Sequence, residues 1–132
     1  MKKILITGGN GVLAHELQSQ LDHKKNHIYA PSRNELDVTS ATEIRQRIKA
    51  FKPDVIFHFA SKTDVDWCEK NPRESFKVHV LATQAVALAA YKEGSIFVYP
   101  STYYVYGGLK KTIIDDLRDE PNLEKLSGVY AR

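Results

Sequence analysis

At 132 residues, with 42% hydrophobic and 27% charged side chains, the chain has the size and balance of one soluble globular domain with a real core. Its net charge of +3 is dispersed, with adjacent basic pairs only at Lys2-Lys3, Lys24-Lys25 and Lys110-Lys111, a pattern that argues against a nucleic-acid partner. No apolar run is long enough to span a bilayer, and the first strand begins within three residues of Met1, which predicts a cytoplasmic protein without a signal peptide.

The single cysteine, Cys68, excludes an internal disulfide and reads as a plain thiol. His15, His23, His27, His58 and His79 show no zinc-type spacing with one another or with Cys68, so no metal site is expected. Ser101 lies in no nucleophile-elbow pattern, which removes a hydrolase triad.

Lys2 to Thr7 reads as a first strand that breaks into Gly8-Gly9-Asn10-Gly11 and resumes as a helix over Leu13 to Leu21. Leu13, Leu17 and Leu21 recur every four residues, with Ala14 beside Leu17, so that face should pack on a sheet. The run satisfies Gly9-x-Gly11-x-x-Ala14, the dinucleotide fingerprint with alanine in third place, and also Gly8-x-x-Gly11-x-x-Ala14. Glycines at such a turn admit positive φ and a close ligand. The helix's first N–H groups lack intrahelical partners and suit a pyrophosphate.

His27 to Ala30 is the second strand. The loop after it, Pro31-Ser32-Arg33-Asn34, has no acid at the strand's end to meet a ribose 2′-hydroxyl, whereas Arg33 suits a 2′-phosphate. NADP is therefore expected in preference to NAD. Glu35 to Val38 reads as a brief third strand, and Ser40-Ala41-Thr42-Glu43 as a capping box opening a helix through Ile44, Ile48 and Phe51.

Val55 to Phe59 is apolar enough for a central parallel strand, with His58 as a satisfied core histidine. The polar loop Ala60 to Glu69 follows at the strand's carboxyl end, where ligands lie in such sheets. Asn71, Pro72 and Glu74 mark the cap of a long helix running to about Glu93, with Gly94 ending it. That helix is apolar around much of its girth, which predicts deep burial or a subunit contact, as in a homodimer. Ile96 to Tyr99 is the last strand, delivering Ser101-Thr102 to the same sheet edge. Alternating strands and helices over 1–132 predict one doubly wound, three-layer α/β domain of Rossmann type, with strand order 3-2-1-4-5.

Read together, Thr7-Gly8-x-x-Gly11, Arg33-Asn34-Glu35-Leu36-Asp37-Val38, Pro53-Asp54-Val55-Ile56, Lys62-Thr63-x-Val65-Asp66-x-x-Glu69 and Ser101-Thr102-x-Tyr104-Val105-Tyr106 make the chain resemble the extended short-chain dehydrogenase/reductase family. The resemblance covers nearly the whole chain. It implies an oxidoreductase reducing a 4-keto nucleotide sugar with NADPH in deoxysugar and polysaccharide biosynthesis. It further implies that Gly8, Asn10, Gly11, Val12 and Leu13 hold the pyrophosphate end and Arg33 the 2′-phosphate. Asp37 and Val38 would meet the adenine, while Phe59, Ala60, Ser61 and Thr63 would line the nicotinamide side. Thr102 would match the family's catalytic Ser/Thr, and Tyr130 the tyrosine of Tyr-x-x-x-Lys.

The chain stops two residues after Tyr130, so that lysine and the sugar-nucleotide domain of the family are expected in a longer parent, and the piece alone is expected to be inactive. Three features depart from the family pattern: Tyr103, His79 in place of a usual asparagine, and the altered segment before Tyr130. The first makes Ser101 to Gly107 also look like the Ser-Ser-x-x-Val-Tyr-Gly of epimerases and dehydratases that keep bound NAD. A non-catalytic dinucleotide-binding regulatory subunit is the third reading.

Overall fold

The computed structural model describes residues 1–102. Four parallel strands, β1 (Lys2–Thr7), β2 (Asn26–Tyr29), β3 (Val55–His58) and β4 (Ile96–Val98), form one sheet in the order β2-β1-β3-β4. Ile4 pairs with Ile28 on one side and with Val55 on the other, and Val55 continues to Ile96. Strand residues alternate between the sheet's two faces. Ile4 and Ile6 accordingly meet α1 (Val12–Gln20) through Ala14, while Leu5 and Ile56 share a second core with Ile44 and Ile48 of α2 (Ala41–Phe51) and Val86 of α5 (Ala82–Glu93). Helices on both faces make this a three-layer α/β domain, as expected from the alternation of elements. Among the described residues, no helix is long and apolar enough to cross a membrane.

The expected third strand is absent. Ser32 O accepts from the amides of Glu35 and Leu36, at 3.1 and 3.0 Å, and Asp37 Oδ1 accepts from the Thr39 amide and hydroxyl at 2.9 and 2.8 Å. Such local bonds compete with a ladder and win here. Leu36 and Val38 still reach the core, so their apolar alternation signalled burial and not extended backbone. Without that strand, the remaining four keep their expected order.

Helix α1 packs through Ala14, Leu17 and Leu21, whereas Leu13, expected on that face, is 59% exposed. Spacing of three and seven from Ala14 fits the helical period better than repeated steps of four, which drift around the cylinder. Ser40 caps α2, with the Glu43 amide donating to Ser40 Oγ at 3.4 Å, but the Ser40 amide donates to Asp37 O at 3.0 Å and not to the Glu43 side chain, so only half of the expected capping box forms.

The polar loop after β3 contains a short helix, α3 (Val65–Lys70), capped by Asp64, whose Oδ1 accepts from the Trp67 amide at 2.9 Å. The Asn71 side chain caps no helix; its amide donates back to Trp67 O at 2.9 Å. The long helix expected from Asn71 to Glu93 comprises α4 (Pro72–Phe76), a π-helical segment (Lys77–Leu81) and α5. Only one side of it is buried. Val86 and Ala90 are covered, while Phe76, Leu81 and Leu88 stand about half exposed, which corrects the expectation of deep burial.

Candidate dinucleotide cleft

The order of the strands reverses at β1, from which one connection leads to β2 and the next to β3 on the opposite side. In open parallel sheets a crevice opens at that point, beyond the carboxyl ends of the strands. A cleft of about 270 Å³ lies there. Its floor is the glycine turn, where the Gly11 amide donates to Gly8 O at 2.8 Å and the Gly9 amide to Pro31 O at 3.0 Å.

Each glycine has a distinct physical reason. Gly8 has φ +73°, and a Cβ there would lie 2.9 Å from Ala60 N and Cα at the end of β3. A Cβ on Gly9 would lie 2.0 Å from Ala30 O, inside any allowed contact. Gly11 is the N-cap of α1 and has no side-chain cap bond, and the helix's first turn carries no acid. The first amides of α1 thus open from a turn in which Gly8 and Gly9 leave no room for a Cβ, with no side-chain cap upon them, and they carry the positive end of the helix dipole.

One wall is the turn-rich loop after β2, with Arg33, Asp37 and Val38. The Thr39 amide and hydroxyl, with Arg33 nearby, hold the Asp37 carboxyl below its ordinary value. Glu35 is likewise lowered by its bonds from the Ser32 hydroxyl and amide, at 2.7 and 2.8 Å. These carboxylates stay ionised and lock the loop that carries Arg33. The opposite wall is Phe59, Ala60 and Ser61, continued by Lys62. Lys62 Nζ sits 5.0 Å from the centroid of the Trp67 ring.

Of the residues expected at a cofactor, Gly8, Asn10, Gly11, Arg33, Asp37, Val38, Phe59, Ala60 and Ser61 all border this cleft. Val12 and Leu13 lie exposed at the start of α1, outside its lining, and Thr63 is exposed one residue past Lys62. Thr102 is half-buried in the segment after β4. Tyr130 lies outside the described residues. Leu36, Thr39, Lys62 and Val78 line the cleft without having been singled out. Leu36 comes from the stretch read as a strand, Thr39 directly follows it, and Val78 comes from the π segment. Lys62 could have been found from its place directly after Ser61.

His58 is only half satisfied. Its Nδ1 lies 2.7 Å from Thr7 Oγ1, but Nε2 is buried without a partner among the described residues. Burial, with His79 nearby, pushes its pKa from 6.5 down to about 4. It is neutral near pH 7, stacked on Tyr99 at 5.6 Å between ring centroids.

Fold and cleft together define a Rossmann-like α/β domain with a glycine-floored crevice at its topological switch point. A family model described as RmlD substrate binding domain matches residues 1–125, and the chain belongs to that family. It is 35% identical over 111 residues to a dTDP-4-dehydrorhamnose reductase of Aggregatibacter actinomycetemcomitans, covering 83% of this chain and 38% of the relative. A crystal structure of dTDP-4-dehydrorhamnose reductase from Yersinia enterocolitica superposes with TM-score 0.87 at 37% identity, covering 99% of this chain and 44% of that one. The Bacillus anthracis enzyme in complex with NADP gives TM-score 0.79 at 32% identity, covering 82% and 39%. The chain thus spans well under half the length of the proteins it resembles.

Proposed function

We propose that this chain forms the NADPH-binding part of a dTDP-4-dehydrorhamnose reductase, in which a 4-keto nucleotide sugar is reduced to the 4-hydroxyl. The strongest support for this reading is the uncapped start of α1 above a turn with no room for side chains at Gly8 and Gly9. Val12 and Leu13 would present their amides to the cofactor's diphosphate, with Asn10 and Gly11, whose own amide is held by Gly8 O, at its edge. Arg33 would take the 2′-phosphate through its planar, bidentate donor face, and Asp37 with Val38 would border the adenine. Phe59, Ala60, Ser61 and Thr63 would shield the nicotinamide end.

The bound cofactor supplies a hydride; the chain's task is to manage the charge that appears on the substrate oxygen. Thr102 would donate a hydrogen bond to that oxygen, and Tyr130 would transfer its phenolic proton to it. An ordinary tyrosine titrates near pH 10, so proton donation near neutrality needs help from a neighbouring positive charge.

Fluorescence titration of the 132-residue chain with NADPH and NADH tests the cofactor assignment. Saturable binding with NADPH the tighter ligand is expected. Charge-assisted bonds contribute about 1.5–3 kcal/mol each, so Arg33→Ala should weaken NADPH roughly 10- to 100-fold. NADH affinity should stay within about threefold. Equal losses for both ligands would remove Arg33 from the 2′-phosphate, and failure of both to bind would remove the cofactor reading itself.

A further inference from the structure

The π segment Lys77–Leu81 interrupts the helical run beside the cleft, and such segments recur at functional sites. It brings Val78 to the cleft lining and the His79 ring into contact with Ser61, part of the wall that Ser61 and Lys62 form. The His79 ring reaches three points of that wall and its support. Nδ1 lies 3.4 Å from Ser61 Oγ, Nε2 lies 3.9 Å from Cys68 Sγ, and the ring also bonds the Lys62 backbone. Cys68 is fully buried in α3, and its thiol donates to Lys62 O at 3.5 Å. Two elements, α3 and the π segment, therefore converge on one short stretch of irregular backbone that lies beyond the end of β3.

We propose that His79 is a positioning residue that fixes the Ser61–Lys62 wall and so selects for the nicotinamide half of the cofactor. This rests on the dinucleotide reading above. A neutral imidazole offers one donor and one acceptor, which matches a hydroxyl on one side and a carbonyl on the other. Burial lowers the ring's pKa and keeps it in that neutral form. Arg33 and Asp37 lie on the opposite wall, so the adenosine end should not sense the change.

Two ligands separate the halves: NADPH, and 2′,5′-ADP, which lacks the nicotinamide. His79→Leu should weaken NADPH roughly fivefold to tenfold, the loss of about one hydrogen bond, and leave 2′,5′-ADP within twofold. His79→Asn, whose amide again offers a donor and an acceptor, should restore NADPH to within about threefold. Ser61→Ala should reproduce the NADPH-selective loss, and adding it to His79→Leu should cost little more; it carries the test alone if His79→Leu fails to fold. Equal losses for both ligands, unchanged NADPH binding in either variant, or no rescue by asparagine would overturn the proposal. Failure of the unmodified chain to bind either ligand would instead overturn the dinucleotide reading beneath it.

Discussion

Gly9→Ala should destabilise the chain by about 3 kcal/mol or more, lowering its melting temperature by roughly 10 °C. The added methyl would stand 2.0 Å from Ala30 O and 3.0 Å from Pro31 O, both backbone atoms. A flexible side chain could swing away, but here the end of β2 would have to move. The Gly9–Pro31 hydrogen bond that joins the glycine turn to that strand would break with it. Gly11→Ala is the informative contrast. Its methyl would meet only Gly8 O, at 3.1 Å, so stability should change by less than about 1 kcal/mol while ligand access to the α1 amides is obstructed. Thermal denaturation of both variants checks the difference; equal melting temperatures would contradict the packing described for Gly9.

Lowering the pH from 7 to 5 should cost the fold about 2 kcal/mol through His58 alone. The unfolded chain takes up this proton near pH 6.5, whereas the folded ring resists until about pH 4. Each pH unit between those values is worth about 1.4 kcal/mol in favour of the unfolded state. The stability is thus fully present above pH 6.5, falls as pH drops, and is lost by pH 4, a total of about 3 kcal/mol. His79, lowered by burial, adds in the same direction. Asp37 and Glu35, held below their ordinary values by Thr39 and Ser32, stay ionised between pH 7 and pH 5 and so add little to this difference. Urea denaturation at pH 7 and pH 5 should therefore show a slope that His58→Gln largely flattens, the glutamine keeping an acceptor for Thr7. An unchanged slope in the variant would mean that His58 is not the buried neutral group described.

Where local chemistry and burial agreed, the structure was legible in the residues. Lys2 to Thr7 is apolar where it is central, and the glycines after it sit where backbone atoms of β2 and β3 crowd in. Nine of the twelve residues expected at a cofactor border one cleft, since the motif places them at strand ends that the topology gathers. Leu36 and Val38 were misread because alternation records which side chains are buried, and turns held by Asp37 and Glu35 can bury them as well as a strand. Leu13 falls in the four-residue series with Leu17 and Leu21, but repeated steps of four drift around the helix, so Ala14 takes the contact with the sheet and Leu13 turns to the surface. His79 stood out in the residues as a departure from the family pattern, but the π segment that positions it, and with it Val78, was invisible because an extra residue in a helical turn leaves no mark on composition.

The central claim is that the amides opening α1 bind a diphosphate, and amide-resolved NMR during NADPH titration tests it most directly. The largest shifts should fall on Val12 and Leu13, with Arg33 and Asp37 next, in the loop after β2. Binding that leaves those two amides unmoved, or shifts concentrated on the far side of the sheet around α2, would contradict it.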